Sequence, residues 1–225
     1  MYSIAIDGPA GAGKSTIARA VAKKLGFIYV DTGAMYRAMA LHFLREGIDG
    51  HDQEKIAAEC PKAKVSLGYD EEGNQQVFLN GENVSSLIRE EKVGNMASVT
   101  SAIPQVRAAL LDLQRNMAKT SNVLMDGRDI GTHVLPDASL KIFLTASADV
   151  RAMRRYKELT EKGKDCNLDQ IREDIIQRDR QDSERAISPL RQAEDAILLD
   201  SSDLSIDQVI DTLTGYFDRI CRQEG

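Results

Sequence analysis

Residues 3–16 read SIAIDGPAGAGKST, and this stretch decides the fold class. Its first five residues are mostly apolar and predict a short buried strand. A glycine-rich turn follows, and apolar residues at helical spacing then predict a helix from Ser15 to Leu25, which Gly26 ends. A strand, a glycine-rich turn and a helix in this order are typical of the start of a βαβ unit.

The rest of the chain continues this alternation of short apolar runs and helical patterns. Further strands are predicted at residues 27–30, 122–126, 140–144 and 196–200, and helices at residues 32–46, 105–118, 148–162, 168–184 and from 205 onward. Thr32 is the expected cap of the second helix. Alternating strands and helices predict an α/β fold of three layers, a parallel sheet covered on both faces.

The pattern changes between residues 64 and 87. Two short strand patterns, at residues 64–67 and 76–79, flank a turn at residues 70–74, and Asn80-Gly81 offers a second tight turn. We therefore expect a small antiparallel insert within the otherwise alternating chain.

Composition restricts the class of protein. The chain has 225 residues, 42% of them hydrophobic and 28% charged, which suits one domain with inserts or two small domains. Its formal charge of -6 disfavours a nucleic-acid-binding protein. Its three cysteines form no C-x-x-C pair, the N-terminus lacks the pattern of a signal peptide, and no apolar run is long enough to span a membrane. We expect a cytoplasmic monomer with reduced thiols.

The glycine-rich turn fits G-x-x-x-x-G-K-[ST], the P-loop pattern, at every position. Its glycines let backbone N–H groups converge on phosphate oxygens, and the helix N-terminus that follows attracts negative charge. Lys14 is expected to reach the β- and γ-phosphates of ATP, the phosphate donor, and Ser15 to bind Mg²⁺. The predicted ATP-binding residues are Gly8, Pro9, Ala10, Gly11, Ala12, Gly13, Lys14, Ser15 and Thr16.

A P-loop alone does not identify the acceptor of the phosphate. GTPases, motor ATPases and small-molecule kinases share it. The sequence contains no Asn-Lys pair, so it lacks the Asn-Lys-x-Asp segment by which GTPases read guanine. A nucleotide-binding switch without an acceptor stays open as an alternative, as does a kinase acting on another nucleotide or on shikimate.

Two polar clusters follow predicted strands. They are Asp31-Thr32-Gly33-Ala34-Met35-Tyr36-Arg37 and Asp126-Gly127-Arg128-Asp129-Ile130-Gly131-Thr132. Ligands of open α/β sheets sit at the carboxyl ends of strands, so both clusters are expected near the P-loop. Arg37 and Arg128 are candidates to bind a second phosphate, although Arg37 alone would also fit a solvated helix surface.

Arginine is concentrated between residues 151 and 191, which hold 8 of the chain's 17 arginines. The planar fork of arginine suits phosphate oxygens, so this clustering in an acidic protein favours a polyanion site. Interleaved acidic residues leave open the alternative of ordinary ion pairs on solvated helices.

The chain has few candidates for a general base. Its three histidines, His42, His51 and His133, form no evident triad. A kinase acting on an alcohol often needs a base, whereas a phosphate monoester is largely ionised at neutral pH. Many arginines and few bases therefore favour a phosphate group as the acceptor.

The chain resembles the bacterial cytidylate kinases over essentially its whole length. The segments that carry the resemblance are IDGPAGAGKST at residues 6–16, DTGAMYR at 31–37, DGRDIGT at 126–132, PDA at 136–138 and RDRQDSER at 178–185, with Pro189-Leu190 just after. One departure is Thr32, where many relatives have serine; the hydroxyl is kept.

The resemblance implies three regions, as in other nucleoside monophosphate kinases. A P-loop core would comprise residues 1–32, 104–150 and 186–225, and a monophosphate-binding region with the β-containing insert residues 33–103. Residues 151–185 would form a helical lid with its flanking arginine-rich helices, the lid proper lying at 151–166.

The resemblance also implies roles for individual residues. Cytosine would be read by Ser98, Arg107 and Asp129. The CMP phosphate would meet Arg37, Arg128 and Arg185, and the ribose Arg178 and Asp182, with Thr32 lining the same pocket. The residues expected to act in catalysis are Lys14, Arg128 and Arg185, and by a looser match the lid residues Arg154 and Arg155.

The expected reaction is transfer of phosphate from ATP to CMP or dCMP, giving CDP or dCDP. A carboxylate can accept from the N4 amino group of cytosine. Uracil has a carbonyl oxygen there and would face Asp129 lone pair to lone pair, which predicts discrimination between CMP and UMP.

Overall fold

The computed structural model describes residues 1–224. Its strands are β1 (Ser3–Asp7), β2 (Ile28–Asp31), β3 (Val65–Tyr69), β4 (Gln75–Leu79), β5 (Glu82–Asn83), β6 (Val123–Gly127), β7 (Leu140–Thr145) and β8 (Ile197–Asp200). Its α-helices are α1 (Lys14–Leu25), α2 (Thr32–Arg45), α3 (Gln53–Glu59), α4 (Glu91–Thr100), α5 (Pro104–Thr120), α6 (Ala148–Glu161), α7 (Leu168–Glu184) and α8 (Ile206–Glu224).

The chain divides into two compact units. We call residues 2–27 and 124–224 the P-loop unit, and residue 1 with residues 28–123 the insert unit. The boundary between the units crosses β6 after its first residue.

The P-loop unit is built on parallel strands. The order of its strands in the sheet is β6-β1-β7-β8. β1 pairs parallel with β7, with Ile4 opposite Leu140, and β7 pairs parallel with β8. Neighbouring strands that are distant in sequence require crossover connections, as in α/β proteins. The predicted α/β fold with a mostly parallel sheet is confirmed.

Apolar strands and helix faces form the core of the P-loop unit. Ile4 and Ile6 of β1 are fully buried. The terminal helix α8 opens with a capping box, in which Ser205 and Gln208 bond reciprocally, and it buries Leu213 and Phe217. Ile206, the first residue of this helix, is 56% exposed although it lies at helical spacing from Val209 and Leu213, which are buried.

The insert unit contains the predicted antiparallel sheet, with strand order β3-β4-β5. Asp70 organises the turn between β3 and β4 by accepting from the backbone N–H of Asn74 at 2.8 Å. Helix α2 buries Met35, Met39 and Phe43 completely. Its cap differs from our expectation: the Asp31 side chain accepts from the N–H of Ala34, and Thr32 is already the first helical residue.

Two helices of the insert unit, α3 and α4, have no counterpart in the sequence-based prediction. Among the described residues, no helix is both long enough and apolar enough to cross a membrane.

Candidate active site

The P-loop connects β1 to α1 in a conformation that requires glycine. Gly8 has φ 149°, and a Cβ on it would lie 1.9 Å from the carbonyl oxygen of Leu144. Gly13 caps α1 in the left-handed region, at φ 84°. These two positions bring the loop backbone to the N-terminus of α1, where free N–H groups and the helix dipole favour an anion.

Lys14 is the first residue of α1, and its side chain is buried. Its ammonium group donates to the carbonyl of Pro9 at 2.7 Å. Burial, followed by the charge of Arg128, lowers the pKa of Lys14 to about 7. A bound anion would have the opposite effect, because it favours the charged ammonium form of Lys14.

Ser15 and Asp126 place two oxygen ligands together. The Ser15 hydroxyl donates to the Asp126 carboxylate at 2.8 Å. Hydroxyl and carboxylate oxygens suit Mg²⁺, so the residues present fit this ion. Asp126 was not among the predicted ligands, although its place after the apolar run of β6 matches the strand-end aspartate that holds Mg²⁺ in many P-loop proteins.

Three predicted acceptor residues meet at the C-terminal end of α7. The Arg128 Nε donates to the Asp182 carboxylate at 2.7 Å, and Arg185 Nη1 lies 3.8 Å from the same carboxylate. Burial acts to raise the pKa of Asp182, but Arg128, Arg185 and Arg178 outweigh it, so this pKa lies below its ordinary value. The group is an ionised carboxylate among cations, with a positive excess that suits an anion.

Asp129 lies beside this group. It is buried, and one of its carboxylate oxygens is 3.9 Å from Arg185 Nη2. The turn that follows is a single π-helical turn, Ile130–Val134, whose His133 and Val134 N–H groups donate to the Asp129 carbonyl. Such turns are uncommon and cluster at functional sites.

The predicted lid arginines lie on α6. Arg154 donates to the Ser201 carbonyl at 2.8 Å, and Arg155 pairs with Glu158 on the surface. Neither contact reaches the P-loop, and the predicted catalytic role of both residues stays a prediction.

Sequence reasoning missed the part played by Arg151. This buried residue donates to the Ala10 carbonyl of the P-loop at 2.9 Å and forms two bonds to Asp179 of α7, at 3.0 and 2.6 Å. The arginine density of the segment was visible in the sequence, but nothing there distinguished Arg151 from its neighbours.

The remaining predicted residues belong to the insert unit. Arg37 of α2 donates to the Ile88 carbonyl, and Gly94 of α4 leaves room for its guanidinium, 2.8 Å from where a Cβ would lie. Arg107 of α5 is buried, donates to the Ser101 carbonyl at 3.1 Å and lies over the ring of Tyr36.

Thr32 and Ser98 complete this set. Thr32 is buried at the start of α2, and Ser98 is half-buried on α4. The Ser98 carbonyl accepts from the Ser101 hydroxyl. Their predicted contacts with substrate stay predictions.

A P-loop at a helix N-terminus, a Ser–Asp oxygen pair and buried arginines define a P-loop kinase. The chain belongs to the cytidylate kinase family, whose sequence profile matches residues 4–219. It is 50% identical over 217 residues to a cytidylate kinase of Exiguobacterium sp. strain AT1b, covering 96% of each chain. It is 48% identical to a cytidylate kinase of Caldicellulosiruptor bescii, covering 99% of this chain and 98% of that one.

Among solved structures, a gluconokinase from Sinorhizobium meliloti 1021 resembles this chain with a TM-score of 0.51. The two sequences are 13% identical, and the match covers 99% of this chain and 94% of the other. This likeness concerns the fold alone.

Proposed function

We propose that the chain transfers the γ-phosphoryl group of ATP to CMP or dCMP, giving ADP and CDP or dCDP. The observation that carries the proposal lies in the P-loop unit, where Arg128 is close enough to Lys14 to lower its pKa. The phosphate-binding lysine therefore lies near the Arg128–Asp182–Arg185 group, and the carboxylates of Asp7 and Asp126 also lie near enough to act on it. A lysine and two arginines gathered beside the P-loop suit the binding of two phosphorylated ligands.

The transfer needs electrostatic stabilisation more than proton removal. Lys14 follows the β- and γ-phosphate oxygens, while Arg128 and Arg185 bind the phosphate of CMP, with Arg37 of the insert unit as a further ligand. The acceptor oxygen is largely ionised at neutral pH, so no general base is required. The cations neutralise the charge that spreads over the transferred group.

A magnesium ion would be held by Ser15 and Asp126 together with phosphate oxygens. The bound ion would neutralise phosphate charge in the transition state. Both side chains offer the oxygen ligands that Mg²⁺ prefers, and their contact at 2.8 Å brings those ligands together.

Acceptor choice is assigned to Asp129, Ser98 and Arg107. Asp129 accepts from the N4 amino group of cytosine, which UMP lacks, and Arg107 donates to the acceptor atoms of the ring. The ribose is assigned to Arg178 and Asp182, with Thr32 lining the acceptor pocket.

Several further expectations complete the proposal. Residues 151–166 act as a lid that excludes water, with Arg154 and Arg155 contributing to catalysis. The protein acts as a cytoplasmic monomer and binds no nucleic acid.

The proposal is tested by incubating the chain with ATP, Mg²⁺ and CMP and separating the nucleotides by chromatography. We expect CDP and ADP in equal amounts, and little ADP when CMP is omitted. ADP released equally with and without CMP would identify an ATPase and refute the proposal. The Lys14→Ala variant, which should lose about 10²–10³-fold in rate, controls for a contaminating kinase.

A further inference from the structure

Asp7 is a buried carboxylate to which the proposed mechanism assigns no role. It is the last residue of β1, directly before the P-loop, and is 5% exposed. One of its oxygens accepts from the N–H of Ile130 at 2.8 Å, and the other accepts from the N–H of Gly131 at 2.7 Å.

These two N–H groups directly follow Asp129. The Asp129 carbonyl is itself fixed by the N–H groups of His133 and Val134. The backbone around Asp129 is therefore held from two directions, by its own π-helical turn and by the two oxygens of Asp7. A rotation of this backbone would carry the Asp129 carboxylate with it.

The contact is tightly packed. A Cβ on Gly131 would lie 3.4 Å from Asp7 Oδ2 and 3.2 Å from Lys141 Cδ. The Lys141 ammonium is restrained by the carbonyl of Pro136 and by both carboxylate oxygens of Asp195, at 2.9 and 2.7 Å. The loop therefore has little room to shift relative to β1.

This arrangement has an electrostatic cost. Burial, together with the nearby charge of Asp129, raises the pKa of Asp7 to about 6, against the effect of the two N–H donors and of Lys14. An apolar residue would avoid that cost but could not bind two backbone N–H groups. The carboxylate is thus suited to fix the loop.

We propose that Asp7 is a positioning residue for acceptor recognition, holding the Asp129 carboxylate where it meets the amino group of the base. The inference rests on the proposed function, because it presumes that Asp129 reads cytosine. A merely structural role for Asp7, or a role through the charge of Lys14, would affect all acceptors alike. Positioning of Asp129 instead affects the choice between CMP and UMP.

The test compares kcat/KM for CMP and UMP at pH 8 in wild type, Asp7→Asn and Asp7→Glu. Asparagine offers one acceptor and turns an NH₂ toward the second N–H, whereas glutamate keeps the charge near Lys14 but displaces the carboxylate. Both variants should reduce the ratio of CMP to UMP efficiency by about 10-fold or more. In an Asp129→Ala background, Asp7→Asn should leave the ratio unchanged.

Melting temperatures identify variants that fail to fold, and Gly131→Ala provides an independent test. It keeps Asp7 and Lys14, but its Cβ would crowd the side chains of Lys141 and Asp7 and push the loop away from them. It should therefore also reduce the ratio of kcat/KM for CMP to kcat/KM for UMP. Gly215→Ala is the matched control, because a Cβ there meets no atom within 4 Å, and it should leave the ratio unchanged.

The outcomes separate the two proposals. A wild type that shows no preference for CMP overturns the proposed function. The wild type can instead prefer CMP while the folded Asp7 and Gly131 variants keep the full preference. That result overturns only the proposed role of Asp7. If the Asp7 variants lose kcat/KM equally for CMP and UMP, Asp7 acts through Lys14 instead. That result would also overturn its role in positioning Asp129.

Discussion

Lys14 has an unusually low pKa for a lysine. Its burial and the nearby Arg128 disfavour the ammonium form in the free protein and lower its pKa to about 7. A bound triphosphate has the opposite effect, since it favours the charged form. ATP binding and protonation of this side chain should therefore be linked.

We predict that ATP binding at pH 8 takes up close to one proton. At that pH the free lysine is mostly neutral, the bound one is charged, and the last phosphate of ATP is already ionised. Affinity should accordingly fall as pH rises above about 7. Calorimetry of ATP binding in buffers of different ionisation enthalpy measures the uptake.

The matched control is Lys14→Ala, in which the uptake should disappear. Buffer-independent heats for the wild type at pH 8 would show that Lys14 does not change its protonation on binding.

Among individual residues, those that belong to a local motif could be predicted from the sequence. Gly8, Lys14 and Ser15 have roles fixed by a continuous pattern, so the eight-residue P-loop predicted them directly. A local pattern could not select Asp7, Asp126 or Arg151 in this way. Each of them contacts a partner more than 100 residues away in the sequence, and Arg151 also pairs with Asp179 of α7. Distant pairings depend on the packed fold rather than on local sequence.

Helix α7 and the residue that follows it carry charged side chains that recur on one face. Arg178, Asp182 and Arg185 recur at helical spacing, and the structure brings Asp182 and Arg185 together with Arg128. Arg180, on the same helix, instead points to the surface and pairs with Glu184. The helix therefore offers a comparison between a buried and an exposed arginine.

We predict that Arg185→Ala lowers kcat/KM for CMP by at least about 10²-fold, or about 2.7 kcal/mol, with little change in ATP affinity. The reason is loss of a desolvated phosphate ligand. Arg180→Ala, which removes an exposed ion pair, should leave the efficiency unchanged. Steady-state kinetics with CMP varied at saturating ATP measure both variants. Equal kcat/KM values for CMP in the two variants would show that Arg185 does not belong to the acceptor site.

A second prediction concerns the contact between α6 and α7. Asp179→Ala leaves the Arg151 guanidinium buried with only carbonyl partners, and should cost about 1–3 kcal/mol, since Asp179 itself is 25% exposed. For a chain of this size the melting temperature should fall by several degrees.

Glu184→Ala is the control for this change. Glu184 forms an exposed ion pair, whose loss is worth at most about 0.5 kcal/mol. A thermal melt in which Asp179→Ala is no less stable than Glu184→Ala would contradict the structural role of the Arg151–Asp179 pair.

The strongly periodic elements were predictable, and the short ones were not. The bounds of α7 agree with the pattern from Leu168 to Glu184. α3 has seven residues and buries only Ile56, and α4 contains Gly94 and has no side-chain cap, so neither presents a clear helical pattern. Packing in the insert unit stabilises these helices.

At the scale of the whole molecule, the alternation of strands and helices sufficed to predict the α/β fold. Two short strand patterns around a tight turn, where that alternation is interrupted, predicted the small antiparallel insert. The choice of acceptor could not follow from that fold, because P-loop proteins with the same architecture serve many functions. It depends instead on a few side chains, above all Asp129 and the arginines near it. Acceptor preference is therefore the property that tests the proposed function most directly.

The most direct measurement is a coupled assay of ADP release with CMP, dCMP, UMP, AMP, GMP and shikimate tested in parallel at saturating ATP. We predict turnover with CMP and dCMP, and an efficiency for UMP lower by about 10²-fold or more, because its carbonyl oxygen faces the Asp129 carboxylate. Equal efficiency for CMP and UMP, or a clear preference for AMP, GMP or shikimate, would contradict the proposed function.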